Sequence, residues 1–200
     1  MTEHYFTEKP GTKSQPIVWT ERLRDHPFTF TTDHGVFSRR GVDFGSRLLL
    51  ESFIAPQVTG PILDVGCGYG PIGLAIARAY PERIVHMIDI NERALHLAEL
   101  NAKQNGIKNI KIYSSNLFEN VRESNFAAIV TNPPIRAGKK IVHAIFSESF
   151  TFLQKGGELW VVIQKKQGAP SARKRLEDIF GNVAVVRKEK GFFIFCSRKI

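Results

Sequence analysis

The sequence predicts an α/β fold in which a doubly wound sheet of seven strands, mostly parallel, carries helices on both faces. From residue 61 onward, short apolar runs rich in β-branched residues alternate with segments of helical length. This alternation predicts parallel strands joined by helical crossovers. The last two apolar runs, residues 183–186 and 192–196, are joined only by a Lys-Glu-Lys-Gly turn. A connection this short predicts an antiparallel hairpin at the C-terminal end of the fold.

The N-terminal part of the chain lacks this regular alternation. Residues 1–20 mix Gly, Pro, Ser and Thr with a few aromatic residues, and they predict an ordered extension without a regular element. Residues 28–32 alternate apolar and β-branched side chains and predict a strand, followed by a short strand at residues 36–37. Residues 43–54 predict a helix with Asp43 as its N-cap.

The remaining segments supply the main sheet and its covering helices. Strands are predicted at residues 62–65, 84–90, 109–114, 126–131 and 159–164, in addition to the hairpin. Helices are predicted at residues 71–80, 91–105, 139–153 and 172–180. We therefore expect an N-terminal extension, residues 1–58, packed on a core of residues 59–200.

The composition favours a soluble globular protein, with 42% hydrophobic and 24% charged residues. No apolar run approaches the roughly 18 residues that a membrane-spanning helix needs. The first residues are polar and lack the apolar centre of a signal peptide, so we expect a cytoplasmic protein without membrane contact. Cys67 and Cys196 have no metal-ligating neighbours at short spacing, which predicts reduced thiols and no metal site.

A tight turn rich in glycine follows the strand at residues 62–65, where a ligand is able to approach the backbone closely. Gly68, Gly70 and Gly73 satisfy the spacing of a dinucleotide-binding turn, and Asp89 follows at the distance of a ribose-binding acid. The register of the strand argues against a dinucleotide, because Asp64 lies in its last residues. A carboxylate facing the binding crevice there repels a pyrophosphate and attracts the ammonium group of a methionine moiety.

Residues 63–70, Leu-Asp-Val-Gly-Cys-Gly-Tyr-Gly, resemble the first motif of class I S-adenosylmethionine methyltransferases. The resemblance implies a Rossmann-like fold, S-adenosyl-L-methionine as cofactor and S-adenosyl-L-homocysteine as product. It also implies that the glycine turn contacts the methionine part and that Asp89 binds the ribose hydroxyls. Asn116 stands where the family usually has an Asp that reads the adenine amino group. The cofactor-binding residues implied so far are Asp64, Gly66, Cys67, Gly68, Gly70, Asp89, Ile90, Asn116, Leu117 and Asn132.

A second motif, Asn132-Pro133-Pro134-Ile135, follows the strand at residues 126–131. The two prolines stop the strand and leave carbonyl groups without ladder partners. The Asn132 side-chain oxygen and the Pro133 carbonyl are able to accept the two hydrogens of an exocyclic amine and aim its lone pair at a methyl donor. The tetrapeptide is similar to the motif of amino-methylating enzymes acting on adenine, guanine or glutamine, which usually have an aromatic residue where this chain has Ile135.

Residues 35–50 resemble the segment ahead of the cofactor motif in RsmC-type ribosomal RNA guanine-N2 methyltransferases. Together with the two motifs, the resemblance covers roughly residues 27–198. It implies methylation of a guanine N2 in small-subunit (16S) ribosomal RNA, as naked RNA or as an assembling subunit. It also implies that Phe37 and Ser46 close the cofactor pocket. The better-known members carry two such domains, so this chain is expected to act as a monomer or a homodimer.

The formal net charge of +9 arises entirely in the last third of the chain. Residues 133–200 hold 14 Lys and Arg against 5 Asp and Glu, whereas residues 1–132 hold 14 against 14. A one-sided excess is typical of a nucleic-acid partner, although a basic face that serves only solubility has the same composition. The side chains expected to bind RNA are Arg136, Lys139, Lys140, Lys165 and Lys166.

Three alternatives remain at this stage. The first is a methyltransferase whose amino acceptor is a tRNA base, a DNA adenine or a protein glutamine. The second is a non-catalytic RNA-binding module on the same fold, against which Asp64, Asp89 and Asn132 are all present. The third is a dehydrogenase, which the sequence disfavours because it shows no residues for handling a hydride.

Overall fold

The computed structural model describes residues 11–200. Its strands are β1 (Ile17–Leu23), β2 (His26–Thr32), β3 (Ile62–Val65), β4 (Val85–Asp89), β5 (Ile110–Ser114), β6 (Phe126–Thr131), β7 (Leu153–Gln164), β8 (Ala184–Glu189) and β9 (Phe192–Arg198). Its α-helices are α1 (Phe44–Ser52), α2 (Pro71–Ala79), α3 (Glu92–Gln104), α4 (Lys139–Phe152) and α5 (Ala169–Phe180). None of the helices within residues 11–200 is long and apolar enough to cross a membrane.

The main sheet confirms the predicted fold class. Its seven strands run in the order β5-β4-β3-β6-β7-β9-β8. Strands β3 to β7 are mutually parallel, and β9 pairs antiparallel with both β7 and β8. The architecture is therefore a Rossmann-like mixed sheet closed by an antiparallel C-terminal hairpin.

Burial on both faces explains why the central strands read as continuous apolar runs. Every residue of β3 and β6 is buried. Helices α1, α2 and α3 pack on one face of the sheet, and α4 and α5 pack on the other. Each face therefore has its own hydrophobic core, and polar chemistry is confined to the edge where the strands end.

The chain order reverses between β3 and β6, which opens a crevice at their carboxyl ends. Val65 pairs with Thr131 in the sheet, and the Thr131 hydroxyl donates a 2.9 Å hydrogen bond to the Val65 carbonyl. The glycine turn and the Asn-Pro-Pro loop consequently leave the sheet side by side. This adjacency places the two sequence motifs at one site.

The N-terminal region differs from the prediction in two ways. Residues 17–23 form β1, which pairs with β2 in a separate two-stranded sheet, although no strand was expected before residue 28. The residues of β1 are mostly exposed or half-buried, so β1 does not form the buried apolar run that marks the strands of the main sheet. Residues 36–37 form a turn rather than the predicted strand. The part of the predicted N-terminal extension before residue 11 lies outside the described residues.

Side-chain amides on α3 hold this hairpin against the core. Asn101 accepts from the Thr31 N–H at 2.7 Å and donates to the Thr31 carbonyl at 3.0 Å. Asn105 makes the same pair of contacts with Thr29. These amides replace the strand neighbour that the free edge of β2 would otherwise need, so the hairpin is fixed against α3.

Candidate functional site

A cavity of about 330 Å³ lies at the carboxyl edge of the sheet. Its walls come from the glycine turn, the ends of β4 and β5, the Asn-Pro-Pro loop, the start of α4 and the segment before α1. The residues that line it are Val36, Phe37, Ser38, Asp43, Ser46, Val65, Gly66, Cys67, Gly68, Tyr69, Pro71, Ile72, Ile88, Asp89, Ile90, Ala94, Ser115, Asn116, Leu117, Asn132, Pro133, Pro134, Ala137, Ile141 and Ile145.

The glycines of the turn fall into two groups. Gly66 and Gly68 have φ values of 75° and 57°, and a Cβ built on either would meet nothing within 4 Å. Their bare backbone faces open space where a ligand can approach. Gly70 and Gly73 instead pack against Met87, because a Cβ would lie 2.9 Å or less from atoms of its side chain. The second pair holds α2 close to the sheet and does not line the cavity.

Asp64 lies behind the turn and not in the cavity wall. The side chain is fully buried, and its Oδ2 accepts a 2.8 Å hydrogen bond from the Gly73 N–H. The other oxygen, Oδ1, is buried without a hydrogen-bond partner among the described residues. Burial raises the pKa of this carboxyl to about 7. The expectation that Asp64 faces the crevice therefore differs from the structure, in which the turn separates the two.

Asp89 ends β4 at the rim of the cavity. Its Oδ2 accepts from the Gly68 N–H at 2.8 Å and its Oδ1 accepts from the Asn91 N–H at 2.9 Å. Burial raises the pKa of the carboxyl above its ordinary value. The two backbone donors hold the carboxylate in one orientation beside the glycine turn, and Ile90 lines the cavity next to it.

Asn116, another polar residue at the rim of the cavity, follows β5. The exposed side chain of Asn116 donates from Nδ2 to Glu119 at 2.9 Å. This contact leaves the Asn116 Oδ1 as the acceptor available to a ligand. Leu117 lines the same wall with a φ of 50°, a left-handed conformation that bends the chain around the cavity.

The amide of Asn132 is held by the first turn of α1. Its Nδ2 donates to Asp43 Oδ2 at 3.2 Å and to Ser46 Oγ at 3.0 Å. No described residue donates a hydrogen bond to Asn132 Oδ1 or to the Pro133 carbonyl, whereas the Pro134 carbonyl accepts from the Ala137 N–H at 2.9 Å. Two acceptor oxygens thus remain at this end of the cavity, as the sequence motif predicts.

Ile135 does not line the cavity, in contrast to Pro133 and Pro134. It begins the short 3-10 turn Ile135–Ala137 and packs against the core under α4 and α5. Apolar contact at this end comes from Ile141 and Ile145 instead, on the face of α4 that turns toward the cavity. Ile135 is half-buried and packs against this core, so its part in binding the acceptor stays a prediction.

The cavity is flanked by Phe37 in the segment before α1 and by Ser46 in the first turn of α1, and the closing role that the resemblance implies for them stays a prediction. Phe37 lines the cavity and remains 44% exposed. The Tyr69 hydroxyl lies 3.4 Å from the carbonyls of Ser38 and Gly41 and fixes this segment over the glycine turn. Ser46 also lines the cavity, but its one described polar side-chain contact is with Asn132.

The predicted RNA-binding side chains lie on the same edge of the molecule. Arg136, Lys139 and Lys140 are exposed directly after the Asn-Pro-Pro loop. Lys165 and Lys166 are exposed in the turn that follows β7, whose carboxyl end lies next to that of β6. Further along the hairpin, the Lys190 ammonium lies 4.8 Å from the centre of the Phe44 ring. These basic residues thus lie at the sheet edge that carries the cavity.

Two features of the site escaped the sequence analysis. Asp43 was expected only as a helix cap, a role that it has, since it accepts from the Ser46 N–H at 3.1 Å. Its contact with Asn132 spans 89 positions of the chain. Tyr69 was quoted only as part of the glycine motif. No local pattern marks either contact, because each depends on how distant segments pack.

Cys67 and Cys196 are free thiols, buried and half-buried. Burial raises the pKa of the Cys67 thiol well above its ordinary value, which keeps it neutral at the cavity wall. Within the described residues, no group of three or more His, Cys, Asp or Glu side chains is arranged to hold a metal ion.

Comparison with known proteins identifies the family. The model of the methyltransferase small domain matches residues 27–196. The chain is 60% identical over its whole length to YbxB, an uncharacterized protein of Bacillus subtilis of the same extent. It is 32% identical to the ribosomal RNA small subunit methyltransferase C of Vibrio vulnificus, over 82% of this chain and 48% of that protein.

The solved structures agree with the sequence relatives. A 16S rRNA N2 methyltransferase (RsmC) of T. thermophilus, solved with AdoMet and guanosine, superposes with a TM-score of 0.83 at 26% identity. The match covers 96% of this chain and 52% of that one, so the chain spans about half the length of these methyltransferases. The chain therefore belongs to the methyltransferase small domain family and is an S-adenosylmethionine-dependent class I methyltransferase of the RsmC-like group.

Proposed function

We propose that this methyltransferase transfers a methyl group to an exocyclic amino nitrogen of RNA, and specifically to a guanine N2 of small-subunit ribosomal RNA. The observation that carries the proposal is the pair of unpaired acceptor oxygens, Asn132 Oδ1 and the Pro133 carbonyl, at one end of the cavity. Guanine N2 is favoured because the RsmC relative is described as a 16S rRNA N2 methyltransferase.

The other end of the cavity fits S-adenosylmethionine. Gly66 and Gly68 leave open space above a turn whose carboxylate neighbours, Asp64 and Asp89, favour a cationic amino-acid group over a pyrophosphate. Asp89 has its carboxylate oriented at the rim for ribose hydroxyls, and Asn116 offers an acceptor for the adenine amino group. Cys67, Ile90 and Leu117 add apolar wall, and Phe37 covers the opening.

Asp64 has a different part in this proposal from the one its sequence position indicates. It fixes the glycine turn by accepting from the Gly73 N–H, and its unpaired Oδ1 places negative potential behind the turn. In the protein interior a carboxylate acts over several ångströms, since screening by water is weak there. We propose that it stabilises the bound ammonium through the turn, without lying in the cavity wall.

An exocyclic amine is a weak nucleophile because its lone pair is conjugated with the ring. If Asn132 Oδ1 and the Pro133 carbonyl each accept one N–H, the nitrogen is drawn toward sp³ geometry and its lone pair is directed away from the loop. No general base is needed before the attack, so orientation and electrostatic stabilisation supply most of the catalysis. The apolar side chains of Ile141 and Ile145 exclude water from this end.

When bound, the cofactor supplies an electrophilic methyl group on a sulfonium. The acceptor nitrogen would take this methyl group, and the electron pair of the carbon–sulfur bond would stay with S-adenosyl-L-homocysteine as the product. The nitrogen becomes cationic in this step and afterwards releases one proton to solvent. The carbonyl oxygens around it stabilise the positive charge while it exists.

The same Asn132 geometry serves a tRNA base, a DNA adenine or a protein glutamine. The exposed basic residues around the acceptor side, Arg136, Lys139, Lys140, Lys165 and Lys166, favour a nucleic acid over a protein. A non-catalytic RNA-binding module would not need the unpaired oxygens to face the cavity. We therefore place RNA methylation first.

The first test replaces Asn132 with Ala. We expect Asn132→Ala to bind S-adenosylmethionine within about twofold of wild type and to lose at least 100-fold in kcat, because one oriented acceptor in a dry site is worth about 3 kcal/mol of transition-state stabilisation. Transfer of labelled methyl to 16S ribosomal RNA transcribed in vitro measures the rate. Turnover near that of wild type would remove the proposed role of the loop.

The substrate is tested separately by mapping modified nucleotides in ribosomal RNA from cells that lack the protein. We expect one N2-methylguanine to disappear from the small-subunit RNA and to return when the wild-type chain, but not Asn132→Ala, is supplied. If the modified nucleotides of ribosomal RNA are unchanged and a tRNA modification is missing, the substrate is tRNA and not ribosomal RNA.

A further inference from the structure

We propose that Asp43 is the positioning residue that decides which end of the Asn132 amide faces the methyl acceptor. The inference rests on the proposed function of Asn132 and concerns how its side chain is kept in the productive orientation. The orientation is important because an amide presents a hydrogen-bond acceptor at one end and two donors at the other. A turn of 180° about the last bond of the side chain would present donors to an amine that itself donates.

Asp43 and Ser46 contact the same amide nitrogen but differ in what they require of it. A serine hydroxyl both donates and accepts, so Ser46 tolerates either orientation of the amide. An ionised carboxylate only accepts, so Asp43 is compatible only with the Nδ2 group at 3.2 Å. In the flipped orientation Asn132 Oδ1 would face the Asp43 carboxylate without an intervening proton. Asp43 alone therefore discriminates between the two ends.

Asp43 is itself held in place by the first turn of α1. Its Oδ2 caps α1 by accepting from the Ser46 N–H at 3.1 Å. A Cβ on Gly45 would lie 3.1 Å from the same oxygen and 3.0 Å from the Phe192 ring, so a larger residue there would force one of these neighbours to shift. The cap ties the carboxylate to α1, a helix that packs in the core. Asp43 thereby positions the Asn132 amide relative to a rigid helix.

The same contact explains why residue 132 is an amide and not an acid. A carboxylate at this position would face Asp43 at about 3 Å, where two like charges repel each other. Asp43 thus makes the acceptor loop specific for Asn at its first position.

The test separates the capping role of Asp43 from its orienting role. Asp43→Ser keeps a good N-cap but is too short to reach Asn132, whereas Asp43→Asn keeps one acceptor oxygen for both contacts. We expect Asp43→Ser to lower kcat at least tenfold on 16S ribosomal RNA, with the KM for RNA and the Kd for S-adenosylmethionine within twofold of wild type. We expect Asp43→Asn to retain at least a third of kcat, and the Tm of both variants to stay within a few degrees.

Two results would overturn the inference. One is wild-type turnover by Asp43→Ser while Asn132→Ala is inactive, since the amide then keeps its orientation without Asp43. The other is an equal loss of cofactor affinity in Asp43→Ser and Asp43→Asn, which would make the Asp43 charge a cofactor contact. Full activity of Asn132→Ala would instead remove the proposed function itself, so the two failures are distinguishable.

A charge exchange gives a second test, and the Tm of each variant is measured beside it because Asp43 Oδ2 accepts from both the Ser46 N–H and Asn132 Nδ2. Asn132→Asp places two carboxylates together and is expected to reduce turnover at least 100-fold. In the double variant Asp43→Asn with Asn132→Asp, the amide at residue 43 donates to the new carboxylate, and we expect at least a tenfold recovery over Asn132→Asp alone. The absence of recovery would count against a direct coupling of the two side chains.

Discussion

The two ends of the cavity are built from different parts of the chain. At the cofactor end, the carboxylates of Asp64 and Asp89 are fixed by backbone N–H groups of Gly73 and Gly68, 9 and 21 positions away. At the acceptor end, Asn132 is fixed by side chains that lie 86 and 89 positions earlier in the sequence. The first arrangement is complete within one strand-turn-helix-strand unit, and the second exists only when the N-terminal segment has docked.

This difference shows that the N-terminal segment contributes to the acceptor end of the site. The predicted boundary between residues 1–58 and residues 59–200 stays a prediction about folding units, but the site crosses it. Cofactor binding and methyl transfer should consequently respond to different substitutions. The strongest test is a substitution that abolishes cofactor binding or methyl transfer and leaves the other unchanged.

The largest effect is expected at the cofactor end, from Asp89→Ala. The substitution removes the proposed contacts to the ribose hydroxyls and leaves the half-buried Gly68 N–H without its acceptor. Two hydrogen bonds to a charged group are worth about 3 kcal/mol together, so we expect the Kd for S-adenosylmethionine to rise at least 100-fold. Calorimetric titration measures the change.

Asn132→Ala is the matched control, because it alters the other end of the same cavity. It should keep the cofactor affinity that Asp89→Ala loses. Comparable losses of cofactor affinity in both variants would show that the two ends are not independent.

The contrast also marks what the sequence allows one to predict. Gly66, Gly68 and Asp89 were found from local spacing, because a strand, a tight turn and the end of the next strand are ordered along the chain. Asn132 was found because two prolines mark the end of its strand. Asp43 as a partner of Asn132 was not found, because nothing at residue 43 differs from an ordinary helix cap.

The directions of two other side chains, Asp64 and Ile135, also depend on tertiary packing. Asp64 was expected in the crevice because it ends a strand, but side chains alternate across a strand and this one points under the turn toward Gly73. Ile135, the last residue of the acceptor motif, is half-buried and packs against the core beside α4. Local pattern gives the position along the chain, whereas the direction of a side chain depends on the tertiary packing.

A smaller effect, about tenfold, is expected in RNA affinity when Lys165 and Lys166 are both replaced by Ala. Binding releases about one counterion for each phosphate contact that forms. The slope of log affinity against log salt should therefore fall in magnitude by about 1 for each lysine removed. Filter binding of 16S ribosomal RNA at several salt concentrations measures both quantities.

Lys108 and Lys111 provide the control pair for this experiment. They are exposed and lie before and at the start of β5, at the edge of the sheet opposite the cavity. Their replacement by Ala removes the same charge and should leave the slope almost unchanged. Equal losses from both pairs would mean that RNA binds through net charge alone and not through a surface around the acceptor end.

The smallest effect concerns Asp64, whose pKa of about 7 lies far above its ordinary value because the carboxyl is buried. In the unfolded chain this group ionises near pH 4 and in the folded chain near pH 7, so its contribution to the free energy of unfolding is full below pH 4 and is lost as the pH rises through 7. Asp64→Asn has no such proton to lose. We expect the stability of wild type relative to Asp64→Asn to fall between pH 4 and pH 8, as chemical unfolding at each pH would show.

A bound ammonium should act on Asp64 in the opposite direction, because it favours the ionised carboxylate. We therefore expect the affinity of wild type for S-adenosylmethionine to rise a few-fold, relative to Asp64→Asn, as the pH increases through about 7. Groups that titrate in both proteins cancel in this comparison. The same pH profile of affinity in wild type and Asp64→Asn would mean that Asp64 only braces the glycine turn through Gly73, and that its charge does not reach the methionine end of the cavity.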